Sequence, residues 1–319
     1  MNNTDIVCII LNYNDADTAV KQVKRVQKYR AVDKIIIVDN ASTDDSQAKL
    51  GRLAGGNTLF LRSKRNGGYG SGNNIGLKHA YKVLHAKYAV IANPDTDFFD
   101  EDLEYMKQIL ENNPDIAALA PLLKERGGFG VPPAWPLRDW LHELCAAGPL
   151  VRRLFKRVLQ YPAAYYKKNL SSNDYKKNLL YVDVLPGALL MLRLDVIDSL
   201  GGYDESMFLY GEENVIAYKL KKANFKTALI TNRFYIHNTS TSIKKRFDSI
   251  YNRQRLREIS TLFYFKNYLR INALQYVFSV LFFKIIGLET LIKVREGFGP
   301  IRQSHDIAEQ LAADRKSHV

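Results

Sequence analysis

The sequence predicts an α/β fold built on a buried, largely parallel sheet with a helical tail. Residues 6–11, 34–39, 58–61 and 88–92 are four short apolar or β-branched runs. They lack polar alternation, as strands covered on both faces do. Helix-length segments separate them, so the first 120 residues read βαβαβαβα. The residues directly after each run are polar and glycine-rich, and in such sheets ligands bind at the carboxyl ends of the strands.

A chain of 319 residues that is 46% hydrophobic can fill a substantial core. Its two cysteines, Cys8 and Cys145, are far apart and form no C-x-x-C pair, so neither a disulfide framework nor a cysteine zinc site is expected. The N-terminus lacks a basic region followed by a long apolar stretch, which points to a cytoplasmic protein. The net charge of +13 is concentrated. Residues 150–178 hold eight Lys/Arg against one acid and residues 244–270 eight against two, and these excesses of +7 and +6 account for all of it. Basicity therefore marks two regions that could face a polyanion, a membrane surface or a nucleic acid.

From residue 121 to about 180 the pattern loosens into glycines, prolines and a basic, Tyr-rich stretch, read as an insertion with short helices. Strand-like runs return at 180–185 and 187–192, followed by a helix over about 213–223 and a last strand ending at His237. The main α/β unit is placed at 1–242 and a helical tail at 243–319. In that tail the longest uncharged piece spans residues 271–283. That is short of the roughly 20 residues a spanning helix needs, so an interfacial or core-packed helix is expected.

The chemistry-bearing residues lie at the strand ends. After the first strand comes Asn12. After the second come Asp39 and Asn40, with Ser42 or Asp44 placed to cap the next helix. The segment 65–74, RNGGYGSGNN, lacks the lysine of a P-loop and the third glycine of a dinucleotide fold, leaving a flexible loop. Asn93-Pro94-Asp95 follows the fourth strand, where carboxylates on a stiff turn can hold a hard divalent cation that also binds phosphate oxygens. Glu212 and Glu213 open a helix, where a glutamate serves either the macrodipole or as a general base. His237 is a candidate metal ligand.

Taken in order, VCIILNYN, VDNASTD, RNGGYGSGNNIG, ANPDT, GALLMLRLDVIDSLGGYDESMFLYGEEN and IHNTSTS resemble glycosyltransferase family 2, in its bacterial rhamnosyltransferase-like branch, over about residues 5–242. The resemblance implies a GT-A fold, Rossmann-like, with a mixed, mostly parallel sheet flanked by helices. It implies inverting transfer from a nucleotide diphosphate sugar, dTDP-rhamnose first and a UDP-hexose or UDP-galactofuranose second, to a glycan or lipid-linked acceptor in bacterial cell-surface polysaccharide synthesis. Asp39 would read the base, with Asn12, Asn40, Asn66, Gly68, Asn73 and Asn93 near the nucleotide. Asp95 and His237 would hold Mg²⁺ or Mn²⁺, with Asn93 standing where the family's D-x-D motif has its first Asp and Asp97 structural. Glu213 would take the position of the base beside Glu212.

The resemblance and the basic tail together imply peripheral contact with anionic membrane at its inner face, and the tail could equally serve a homo-oligomer. Three rivals stand beside this reading. A nucleic-acid-binding protein is disfavoured by the acidic strand ends. A nucleotidyltransferase is disfavoured by the missing lysine-bearing glycine loop. An inactive scaffold is kept open by Asn93 and Glu213.

Overall fold

The computed structural model describes residues 4–125, 134–155, 178–238 and 250–295. Strands β1 (Ile6–Asn12), β2 (Lys34–Asp39), β3 (Thr58–Arg62) and β4 (Tyr88–Ala92) alternate with helices α1 (Ala16–Val26), α2 (Ser46–Gly51) and α3 (Tyr69–Lys82). These strands pair in parallel in the order β3-β2-β1-β4, so the chain reverses its direction of winding at β1. The sheet continues with β8 (Leu189–Arg193), β6 (Ile116–Glu125), β9 (Lys226–His237) and the two-residue β5 (Thr96–Asp97). A further strand, β7 (Leu179–Val182), also pairs with β9. β4 meets β8 antiparallel and β6 meets β9 parallel, giving the mixed, mostly parallel sheet.

Period-two placement divides β1 between two cores. Ile6, Cys8 and Ile10 pack with α1 and with α4 (Asp100–Asn112) on one face. On the other, Val7 and Ile9 pack with α3, α7 (Leu194–Ser199) and α8 (Glu212–Lys222). A third cluster joins α5 (Trp140–Ala147) and α8 to the tail helices α9 (Ile250–Asn267) and α10 (Ala273–Arg295), with Phe265 and Phe283 stacked at its centre. A short helix, α6 (Pro149–Leu154), follows α5.

Three expectations need correction. Regular structure does not loosen at residue 121, because β6 runs through Pro121 to Glu125. The proline lies beside a register shift between Pro121 and Leu122, an irregularity of the kind that tolerates its missing N–H. The segment after Gly68 is no flexible loop, because Tyr69 already opens α3. Ser42 does not cap α2. Its Oγ accepts the Asn12 side-chain amide and the Asn14 N–H, while Asp44 accepts the N–H of Ser46 at 3.0 Å. Most of the basic, Tyr-rich insertion, the IHNTSTS end beyond Asn238 and the last part of the tail lie outside the described residues.

Candidate active site

The site forms where β1, β2 and β4 end together, beside the reversal in winding. Asn12 ends β1 and Asp39 ends β2, in register with each other. Both are buried. Asn12 Nδ2 donates to Asp39 Oδ1 at 3.2 Å and to Ser42 Oγ at 3.1 Å. The other Asp39 oxygen accepts the Ser42 N–H at 3.2 Å and lies 3.7 Å from the Arg62 guanidinium. Asp39 thus has a structural task that its sequence position alone does not reveal.

Asn40 reaches sideways. Its amide donates to Asn66 Oδ1 at 3.0 Å and to the Gly68 carbonyl at 2.9 Å, while Asn66 Oδ1 also accepts the Gly68 N–H. These bonds hold the glycine turn against β2. Asn73 is buried in α3 and donates to the Tyr69 carbonyl. The side-chain oxygens of Asn12, Asn40 and Asn73 are buried and accept no hydrogen bond within the protein. Buried acceptors rarely go unpaired, so this concentration at the sheet's carboxyl end marks where a polar ligand belongs.

Asp95 and His237 come together from distant parts of the chain. β5 pairs with the end of β9, Thr96 opposite His237, and His237 Nε2 lies 3.2 Å from Asp95 Oδ1. The second oxygen, Asp95 Oδ2, is buried with no partner. Asp97 faces elsewhere and pairs with Arg25, which also donates to the Thr96 carbonyl and so fixes the turn. No cluster of three or more His, Cys, Asp or Glu occurs among the described residues. Asp95 and His237 are the residues that could hold a divalent ion, with water and substrate phosphates completing its ligands.

Glu212 and Glu213 open α8 after Tyr210 and Gly211, which both have left-handed backbones, φ +73° and +86°. Burial raises the pKa of both carboxyls, and Glu213's charge raises that of Glu212 further. Backbone amides, including that of Gly187, act against this at Glu213. Glu213 is partly exposed, whereas Glu212 is 3% exposed with one oxygen buried and unpartnered.

Tyr69 connects the two acidic sites, a role that no local sequence pattern reveals. Its hydroxyl donates to the Gly187 carbonyl at 2.5 Å and lies 3.3 Å from Asn93 Oδ1. Burial pushes the phenol pKa far up, so it stays protonated as a donor. A Cβ on Gly187 would lie 3.1 Å from Glu213 Oε1, so the glycine lets the carboxylate approach the strand end. Tyr69→Phe would leave the Gly187 carbonyl short of its donor, and a loss of about 1–2 kcal/mol in unfolding free energy is expected by chemical denaturation.

The model of the family described as glycosyl transferase family 2 matches residues 7–169, just over half of the chain. The chain belongs to glycosyl transferase family 2. It is a glycosyltransferase with a GT-A fold.

Among its relatives, the low-salt glycan biosynthesis hexosyltransferase Agl10 of Haloferax volcanii is 24% identical over 247 residues, covering 77% of this chain and 71% of that protein. The N-acetylglucosaminyl-diphospho-decaprenol L-rhamnosyltransferase of Mycobacterium tuberculosis is 24% identical over 220 residues, 65% of this chain and 67% of its own. In fold, the chain is similar to the mannosyltransferase PcManGT of Pyrobaculum calidifontis, solved with GDP-Man and Mn²⁺. That likeness has a TM-score of 0.53 at 13% identity and covers 98% of this chain and 79% of the other.

The part matched by the family 2 model ends before Glu212, and the segment leading there is held both by residues of that part and by the tail. Asn74 clamps Tyr203, donating to its carbonyl and accepting its N–H, both at 2.9 Å. From the tail, Ser260 Oγ donates to the Leu209 carbonyl at 2.7 Å and Tyr268 donates to Asp204 at 2.6 Å. Arg257 lies over the Tyr210 ring. Trp135 Nε1 bonds Asn214, next to Glu213, at 2.8 Å. None of these tethers is visible in local sequence patterns, because each joins segments far apart in the chain.

Proposed function

We propose that this family 2 enzyme is an inverting transferase that moves a sugar from a nucleotide diphosphate sugar to a hydroxyl of a glycan or lipid-linked glycan acceptor. The observation that carries the reading is the pairing of two distinct acidic sites at one sheet end. Asp95 and His237 lie on one side, Glu212 and Glu213 on the other, with Tyr69 between Asn93 and Gly187.

Asp95 and His237 would hold Mg²⁺ or Mn²⁺, and the unpartnered Asp95 Oδ2 supports that assignment. Such an ion neutralises charge on a departing diphosphate. Asn12, Asn40 and Asn73 offer buried acceptors towards the nucleotide and sugar, with Asn66 and Gly68 shaping the turn beside them. Asp39 contributes through the orientation it gives Asn12 and through any base N–H that reaches it.

Glu213 is the general base. As the acceptor oxygen forms its bond to the anomeric carbon and the bond to the diphosphate breaks, Glu213 takes the hydroxyl proton. Glu212 stays beneath it as a buried neighbour. The single displacement inverts the anomeric centre and needs no covalent enzyme intermediate.

For the donor, the relative named as a rhamnosyltransferase favours dTDP-rhamnose, and the hexosyltransferase relative keeps a UDP-hexose, including UDP-galactofuranose, second. The acceptor in the rhamnosyltransferase's name is N-acetylglucosaminyl-diphospho-decaprenol, which favours a lipid-linked acceptor and peripheral membrane contact here.

A panel of dTDP- and UDP-sugars with Mn²⁺ or Mg²⁺ tests the reading by calorimetry and donor hydrolysis. One donor is expected to bind only with metal, and Asp95→Ala to weaken that binding by about tenfold to a hundredfold. Absence of binding by every donor with either metal would sink the proposal.

A further inference from the structure

The tail helix α10 is apolar on two opposite faces, and only one of them is covered. Phe283, Ile286 and Ser279 are buried, Phe283 against Phe265 of α9 and Ser279 bonded to Trp140 of α5. On the other face Leu274, Val277, Phe278, Leu281, Ile285 and Leu288 are each more than half exposed. Their spacing of i, i+3, i+4, i+7, i+11 and i+14 places them within about 100° around the helix. Single exposed apolar residues need no explanation, but a continuous stripe does. α6 touches α10 and extends the stripe with Leu150, 48% exposed, and Leu154, 79% exposed.

Charge identifies what covers this face. The +7 excess of residues 150–178 begins in α6, and the +6 excess of residues 244–270 ends just before α10, so the protein's whole net charge flanks the stripe in sequence. Arg153, Lys266, Arg270 and Lys284 are exposed cations on or beside these helices. A second copy of this chain would bring an equally basic rim against this one, and like charges oppose that pairing. Anionic headgroups around an apolar interior match both features. Among the described residues no helix is long and apolar enough to cross a membrane.

We propose that the exposed face of α10, continued by α6, docks flat on an anionic lipid bilayer, with the apolar stripe in the acyl boundary and the flanking cations among the headgroups. This deepens the reading of a lipid-linked acceptor by naming the surface, and it holds whatever the donor sugar is.

Flotation of the full chain with phosphatidylcholine vesicles, with and without phosphatidylglycerol, tests it. The wild type is expected to float with the anionic vesicles at low salt and to be released as salt rises. Leu281→Glu combined with Ile285→Glu should lower partitioning by about tenfold or more, with an unchanged thermal midpoint because both positions face outward. Arg153→Glu combined with Lys284→Glu offers a second variant that leaves the apolar stripe intact, and it should weaken binding to anionic vesicles alone. Three results would overturn the proposal: no flotation of the wild type, equal flotation of the Leu281/Ile285 variant, or a wild-type dimer in light scattering that this variant converts to monomer. Donor binding with metal, measured without vesicles, separates failure of the surface from failure of the catalytic reading.

Discussion

Glu213→Gln is expected to lower kcat by about 10²–10⁴-fold while leaving metal-dependent donor binding intact. The substitution keeps the shape of the side chain and its place at the start of α8, but an amide cannot take the acceptor's proton. The pH dependence carries a second signature. A base works only when ionised, and burial holds Glu213 protonated to higher pH than a free glutamate. The acid limb of kcat/KM should therefore lie above the ordinary carboxylate range, with activity rising as pH rises through it.

Stability should run the opposite way. A carboxyl with a raised folded-state pKa binds its proton more tightly in the folded than in the unfolded state. Stability is thus fully present below the ordinary glutamate value and declines as pH climbs through the raised one. Glutamine is neutral throughout, so the variant should lose part of that decline while losing its turnover. Rate profiles and thermal midpoints over the same pH series check both, and turnover within tenfold of wild type would remove Glu213 from the role of base.

Gly68→Ala is expected to cost about 3–5 kcal/mol of stability. Gly68 precedes α3 with φ +92°, a left-handed backbone that alanine adopts only under strain. A Cβ there would fall 2.0 Å from the Phe208 carbonyl oxygen, and a carbonyl within the backbone cannot rotate away as a side chain can. That carbonyl also accepts the Tyr69 N–H at 3.0 Å, so displacing it would disturb Tyr69 and the segment leading to Glu212. Gly51→Ala serves as the control. Its new Cβ would touch only a ring atom of Phe60 at 4.0 Å, and no loss of stability is expected. Urea unfolding of the two variants should separate them clearly, and equal midpoints would show that the Phe208 backbone yields easily.

What could be read from the sequence was what is local. The four parallel strands were legible because an apolar run buried on both faces carries its own pattern, as β1 and β2 do. Strand ends were legible for the same reason, which drew attention to Asn12, Asp39 and Asn93 before any contact was known. The pairing of Asp95 with His237 depends on a two-residue strand, β5, too short for any periodicity to reveal. Pro121 misled because a proline ordinarily ends a strand, and the register shift that admits it depends on β9, more than a hundred residues away. Tyr69 was hidden among glycines. These suggested a flexible loop, whereas Gly70, Gly72 and Gly76 instead let α3 lie close against Tyr203, Leu11 and Ile9.

The bonds from α9 and the turn after it to residues 204–210 bear on how this enzyme can be recombined. Ser260, Arg257 and Tyr268 each grip the stretch that delivers Glu212 and Glu213, so a cut between strand β9 and the tail would sever the scaffold of the proposed base, although it leaves the sheet whole. Chimeras between family members should therefore exchange residues 202–214 and 250–268 as one cassette. A tail transplanted without its loop would meet the wrong backbone, and a chain trimmed of its tail would keep Asp95 and His237 in place while the segment carrying Glu212 and Glu213 comes loose.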